Sequence, residues 1–195
     1  SVTINYRLGA LGMLAHPALE DSSSKLAAAN FSLLDARAAL QWVHDNIRAF
    51  GGDPAKVTIV GGSAGGEMVD LLMIMPGADG LFARAIANSG YAAWPLPAKP
   101  GVLGVGRAKA ENAYDVAHAI LKRAGGGTEP GTAQGLRALD AKAIVDAVDG
   151  FHNPVIDGVT IADDPIAMFA AGKQARVPLI TGGASYEGSV MPASG

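Results

Sequence analysis

Hydrophobic and polar positions alternate between two rhythms along this chain. Residues 2–6 (VTINY) are rich in β-branched and aromatic types and predict a strand ended by Gly9. A loop is expected from there to about Ala29, with Pro17 and the run Ser22, Ser23, Ser24. Leu33, Leu34, Ala36, Ala39, Leu40, Val43 and Ile47 then recur at helical spacing. Ser32 with Asp35 fits a capping box, and Gly51 and Gly52 stop the helix. Residues 57–60 are apolar and β-branched, the pattern of a strand covered on both faces. Residues 67–75 predict a helix ended by Pro76, and residues 82–87 a further strand. Strands alternating with helices argue for a mostly parallel sheet flanked by helices.

The rhythm breaks near Tyr91, where Pro95, Pro97 and Pro100 make an irregular connection. A helix is expected over 108–123, a break at Gly125, Gly126 and Gly127, and two short helices over 132–139 and 141–148. Val155 and Ile156, a helix over 164–171 and a strand over 177–181 return to the earlier alternation. The chain thus divides into a sheet core at 1–91, a variable helical insertion at 92–150, and a return to the core at 151–195. The glycine-rich run 101–106 (GVLGVG) lacks the G-x-G-x-x-G spacing and a preceding strand, so it reads as a loop.

Composition narrows the picture. Hydrophobic residues make up 49% of the 195, enough for a packed core. A net charge of -3 gives no basic footprint for nucleic acid. With no cysteine there is neither a disulfide framework nor a thiolate metal site, which fits any compartment. The longest apolar stretch, around 71–75, is far too short to span a bilayer.

The chemistry concentrates at residues 57–66, VTIVGGSAGG. The pattern G-x-S-x-G, with a strand before it and a helix after, describes a nucleophile elbow. With 26 glycines the bare pattern arises by chance in about one such chain in six, so the flanking elements carry the weight. A turn this sharp strains the serine backbone and crowds the positions two before and two after it, which accounts for Gly61 and Gly65. Ser63 would then sit at a helix N-terminus, with the Ala64 N–H offered to a developing oxyanion.

Several segments, in order, resemble the type-B carboxylesterase/cholinesterase family of the α/β-hydrolase fold: INYRLGALGMLAHP, then NFSLLDARAALQWVHDNIRAFGGDPAKVTIVGGSAGG, GLFARAIANSG, PVIDGVTI and VPLITGGASYEG. Residues 1–91 and 151–188 carry the likeness, and 92–150 only its general character. The resemblance implies an α/β-hydrolase sheet with a helical insertion, incomplete in this chain. It places Ser63 on the nucleophile, Ala64 on an oxyanion donor, and Glu187 on the triad acid. Ser89 matches a buried serine near that acid. Two positions depart from the pattern. Gly62 stands where the family usually has glutamate, and Tyr186 where it typically has aspartate.

A triad also needs a histidine, which in this fold follows the acid. His16, His44, His118 and His152 all precede Glu187. His44 borders the apolar face of its helix, and each of the four reads as a packed or solvated side chain. The base is therefore expected beyond residue 195, and the chain reads as the middle of a larger esterase. The expected function is hydrolysis of small-molecule carboxylic esters with no metal or organic cofactor, no nucleic-acid partner and no membrane span. The partner it needs is the missing remainder of the hydrolase domain. The alternative is a non-catalytic, cholinesterase-like binding or adhesion module.

Overall fold

The computed structural model describes residues 1–20, 29–102 and 111–187. At its centre three parallel strands, β1 (Thr58–Gly62), β2 (Arg84–Asn88) and β3 (Leu179–Gly182), lie in the order β1-β2-β3. Around them run α1 (Gly9–Met13), α2 (Phe31–Asn46), α3 (Ala64–Ile74), α4 (Ala113–Ala124), α5 (Ala133–Arg137), α6 (Ala141–Asp146) and α7 (Pro165–Ala170). The register pairs Gly62 with Asn88 and Asn88 with Gly182. All three strands therefore end level, at one edge of the sheet.

The helix α3 holds this arrangement together. Met68, Val69, Leu71, Leu72, Met73 and Ile74 are all buried, so the helix is apolar around most of its circumference. Such a helix is stable only when covered, and it packs on β1, β2, α2 and α7. Each fully buried residue of the size of Leu71 contributes about 2 kcal/mol. It ends at Met75 in an extended conformation, as the residue before Pro76 must. A second cluster joins α1 to α4, α5 and α6 through Ala10, Leu14, Ile120, Leu121, Leu136 and Ala147. Asn112, Thr132, Asp140 and Asp164 cap α4, α5, α6 and α7 with their side-chain oxygens.

Several expectations change. Residues 2–6 form no strand: no described strand lies alongside to take their backbone groups, and Val2 and Ile4 are about half exposed. β1 is covered on one face only. Ile59 enters the core, whereas Val60 is 67% exposed. A cleft of about 780 Å³ runs between residues 2–6 and β1, with Trp42 and Phe50 along its wall. The loop expected up to Ala29 contains α1 and a 3-10 turn at Pro17–Leu19. Its serine run falls in 21–28, outside the described residues. So do positions 103–110, which hold most of the glycine-rich run and the expected start of α4.

The capping box at Ser32 and Asp35 is not formed. Arg7 takes both residues instead: its backbone carbonyl accepts from the Ser32 hydroxyl, and its N–H, Nε and Nη2 donate to the Asp35 carboxylate at 3.0, 2.8 and 2.6 Å. The N-cap of α2 is Asn30, in a left-handed conformation (φ +54°) with its side chain turned away from the helix. That fully buried amide accepts from the Val155 N–H at 2.8 Å, and donates to the Val155 carbonyl and the Thr160 hydroxyl at 2.7 Å each. Thr160 in turn donates to Asp157, whose other oxygen caps three consecutive N–H groups, at 159, 160 and 161.

Two predictions follow from these buried polar groups. Asn30→Ala leaves the Val155 N–H and carbonyl without partners in the core. It lowers stability by on the order of 3 kcal/mol, measured by urea unfolding of the full-length gene product. Glu67, in the first turn of α3, has its carboxyl pushed up to about 7 by burial and then by the nearby Asp70, and its Oε1 is buried with no partner. A carboxyl raised from about 4.5 when unfolded to about 7 when folded stabilises the protein below the lower value. That stability falls as pH rises between the two, by on the order of 3 kcal/mol in all. Glu67→Gln keeps the neutral shape. It should raise the melting temperature at pH 8 and leave it unchanged at pH 5.

Candidate active site

Ser63 follows β1 directly and precedes α3 directly, with φ +54° and ψ −124°. A non-glycine residue in that region is strained and persists only where its surroundings fix it. Three backbone hydrogen bonds do so here. The Ser63 N–H donates to the Asn88 carbonyl at 2.9 Å, and its own carbonyl accepts from Gly66 at 2.8 Å and Glu67 at 3.0 Å. Ser63 is exposed at the tip of the turn. Ala64 opens α3, where the first N–H groups lack helical acceptors and the helix dipole is positive.

The surrounding glycines play unequal parts. A Cβ on Gly61 would lie 2.0 Å from the Gly65 carbonyl oxygen, so glycine is required at 61. Gly65 itself faces open space, contrary to the expectation that a side chain there would collide. The crowded position is the next one. A Cβ on Gly66 would lie 2.9 Å from the Gly90 Cα, and a Cβ on Gly90 would lie 2.2 Å from the Gly66 carbonyl carbon. The elbow and the loop after β2 thus touch backbone to backbone. The sequence pattern points to Gly61 but not to Gly66 or Gly90, whose partner is distant in the chain. At Gly62 the atom nearest to an added Cβ is 3.9 Å away, so glycine is not required there by contact with a neighbour.

Ser89 occupies the same place on β2 that Ser63 occupies on β1. Its φ is +52°, and its N–H donates to the Gly182 carbonyl at 2.7 Å. Past the end of β3, Glu187 folds back toward it. The Ser89 hydroxyl and, next, the Ala184 N–H at 2.7 Å hold the Glu187 carboxyl below its ordinary range. Ser63 and Glu187 therefore share one edge of the sheet with β2 between them. Two strand spacings, about 10 Å, separate the backbones at Ser63 and Gly183. That span accommodates an imidazole. Near Gly183 the sequence reading missed Tyr91, whose hydroxyl lies over it, because an aromatic in an irregular segment carries no motif.

The four histidines lie elsewhere. His16, expected in a loop, caps the turn at Pro17–Leu19 and is buried, while His118 lies on α4. Both reach Glu129 Oε1 at 2.6 Å, His16 through Nε2 and His118 through Nδ1. Burial acts against the charge on Glu129, yet the two imidazoles hold its carboxyl below the ordinary range. Two histidines and a carboxylate are a common metal-ligand set. Here, however, His16 Nδ1 accepts the Ala18 N–H at 3.0 Å, which puts the ring proton on Nε2. That nitrogen then has no lone pair for a metal, and the trio is a hydrogen-bonded tie between the insertion and the core. His44 is half exposed beside Asp45. His152 Nε2 is buried without a partner, and desolvation lowers the ring's basicity. Among the described residues no histidine is hydrogen-bonded to Ser63 or Glu187.

The chain as a whole is similar to several known proteins. The chain is 37% identical over 188 residues to fumonisin B1 esterase of Sphingopyxis macrogoltabida, covering 96% of this chain and 33% of that protein. It is 32% identical over 198 residues to mouse neuroligin-2, covering 96% of this chain and 21% of that protein. The Geobacillus stearothermophilus carboxylesterase EST55 superposes with a TM-score of 0.76 at 32% identity, over 93% of this chain and 37% of that structure. The chain thus spans about a third of the length of the esterases it matches. Its parallel sheet with flanking helices is part of an α/β-hydrolase fold. No helix among the described residues is long and apolar enough to cross a membrane. The carboxylesterase family model matches residues 1–194, and the chain belongs to the carboxylesterase family.

Proposed function

We propose that the protein carrying this chain is a serine hydrolase that cleaves carboxylic esters through an acyl-enzyme. Residues 1–91 and 151–195 supply the sheet core and acid loop, and 92–150 an insertion that shapes the substrate wall. The observation that supports this most directly is the strained Ser63 at a strand-to-helix corner, on the same sheet edge as the ionised Glu187. In this reading Ser63 Oγ attacks the ester carbonyl, and its proton passes to an imidazole supplied from outside residues 1–195. The Ala64 N–H and the α3 dipole stabilise the oxyanion. The alcohol leaves with the imidazole's proton, and water then releases the acid and frees Ser63. Glu187 orients the imidazole and stabilises its charged form. Ser89 keeps Glu187 ionised for that task, and Gly61, Gly62 and Gly65 flank the turn. No cofactor enters these steps.

Labelling of the full-length gene product with a fluorophosphonate tests the nucleophile. Wild type should label, and Ser63→Ala should abolish it. A wild type that does not label favours the non-catalytic binding module instead. Glu187→Gln should lower kcat by on the order of a thousandfold with KM little changed, measured on p-nitrophenyl acetate.

A further inference from the structure

The chain carries no acidic residue between Asp53 and Glu67, so Glu67 is the first carboxyl after Ser63. It stands in the first turn of α3, where its N–H donates to the Ser63 carbonyl at 3.0 Å. Three residues of helical rise, about 4.5 Å along the axis, separate it from Ala64. In an α-helix the Cα–Cβ bond leans toward the N-terminus, so a side chain covers the turn before its own Cα. For Glu67 that turn holds Ser63 and Ala64. Its Oε1 is buried, and no donor among the described residues meets it.

Charges on the surrounding elements do not offset it. β1 and α7 contain no titratable residue. β2 offers only Arg84, at the end of the strand away from Ser63. On α2, Asp35 is tied to Arg7, Arg37 reaches the Pro76 carbonyl beyond the far end of α3, and His44 faces Asp45. The segment after β2 brings one phenol, Tyr91, and the Ala92 N–H, which donates to Asp70 at 3.5 Å. The charge that does bear on Glu67 is that of Asp70, another carboxylate, three residues further along α3.

We infer that Glu67 tunes the oxyanion site. Uncharged, it leaves the positive start of α3 free to stabilise the negative charge that develops beside the Ala64 N–H; charged, it opposes that negative charge. In the proposed mechanism the imidazole stands toward Glu187, across β2. A charge on Glu67 therefore acts on the oxyanion more than on the imidazolium. This rests on the reading of Ser63 as the nucleophile of an ester hydrolase. Burial and then Asp70 push the Glu67 carboxyl up to about 7. Below that pH it is neutral and above it negative, so hydrolysis weakens as pH rises through this value.

The pH dependence of kcat/KM for p-nitrophenyl acetate hydrolysis by the full-length gene product tests this. It is measured at a temperature where circular dichroism shows every variant folded throughout, which separates tuning from lost stability. Wild type should show a descending limb near pH 7 and lose roughly threefold to tenfold across it. Glu67→Gln keeps the shape but cannot ionise. It should abolish the limb and superimpose on wild type on the acid side. Asp70→Asn removes the carboxylate that hinders ionisation of Glu67 and should move the limb to lower pH. A limb that is absent from wild type, survives Glu67→Gln or stays in place in Asp70→Asn overturns the inference while ester hydrolysis stands. If Glu67→Gln does not fold, wild type and Asp70→Asn decide it. A wild type that turns over no ester overturns the underlying reading as well.

Discussion

The structure depends on a place where two backbones touch without side chains between them. Gly66, in the first turn of α3, meets Gly90, just past β2, at distances no Cβ survives. This contact draws the start of α3 down onto the end of β2, and the hydrogen bond from Ser63 to the Asn88 carbonyl closes the same corner. The strain at Ser63 is held by this corner together with the hydrogen bonds that its carbonyl accepts from Gly66 and Glu67. Ser63, Ser89 and Tyr91 then acquire fixed positions as neighbours of these two glycines.

Two glutamates show how environment separates identical side chains. Glu187 is reached by a hydroxyl and a backbone N–H and stays readily ionised. Glu67, one turn beyond Ser63, is pressed into the protein beside another carboxylate and resists ionisation. The residue just before the serine, where the resemblance led to an expectation of glutamate, is glycine here. The elbow therefore has its buried carboxylate on the helix side of the nucleophile instead of the strand side.

Much of this could be read from the residues, for physical reasons. The α3 helix was visible because its apolar run is bounded by glycines and Pro76, which are local signals. The parallel sheet followed from alternation, and the elbow from strand, motif and helix in order. Readings that needed a partner did worse. Residues 2–6 have strand composition, but a strand exists only beside another, and none of the described ones flanks them. Ser32 and Asp35 have the spacing of a cap, yet Arg7, 28 positions before Asp35, outcompetes the helix for both. Val60 looks like core and is open. The crowding at Gly66 and the reach of Tyr91 to Gly183 are long-range facts with no periodicity to betray them.

The Asn30 amide has a kinetic corollary. It closes on Val155, 125 residues further along the chain, and through Thr160 it fastens the Asp157 turn. Contacts of such separation carry a large loop-closure entropy and form late. During synthesis the N-terminal part must wait for residues 155–160 to emerge before its buried amide is satisfied. Until then α2 begins at an unsealed end. Slow translation between Asn30 and Val155 would lengthen that exposed interval, and chaperone dependence should grow with it.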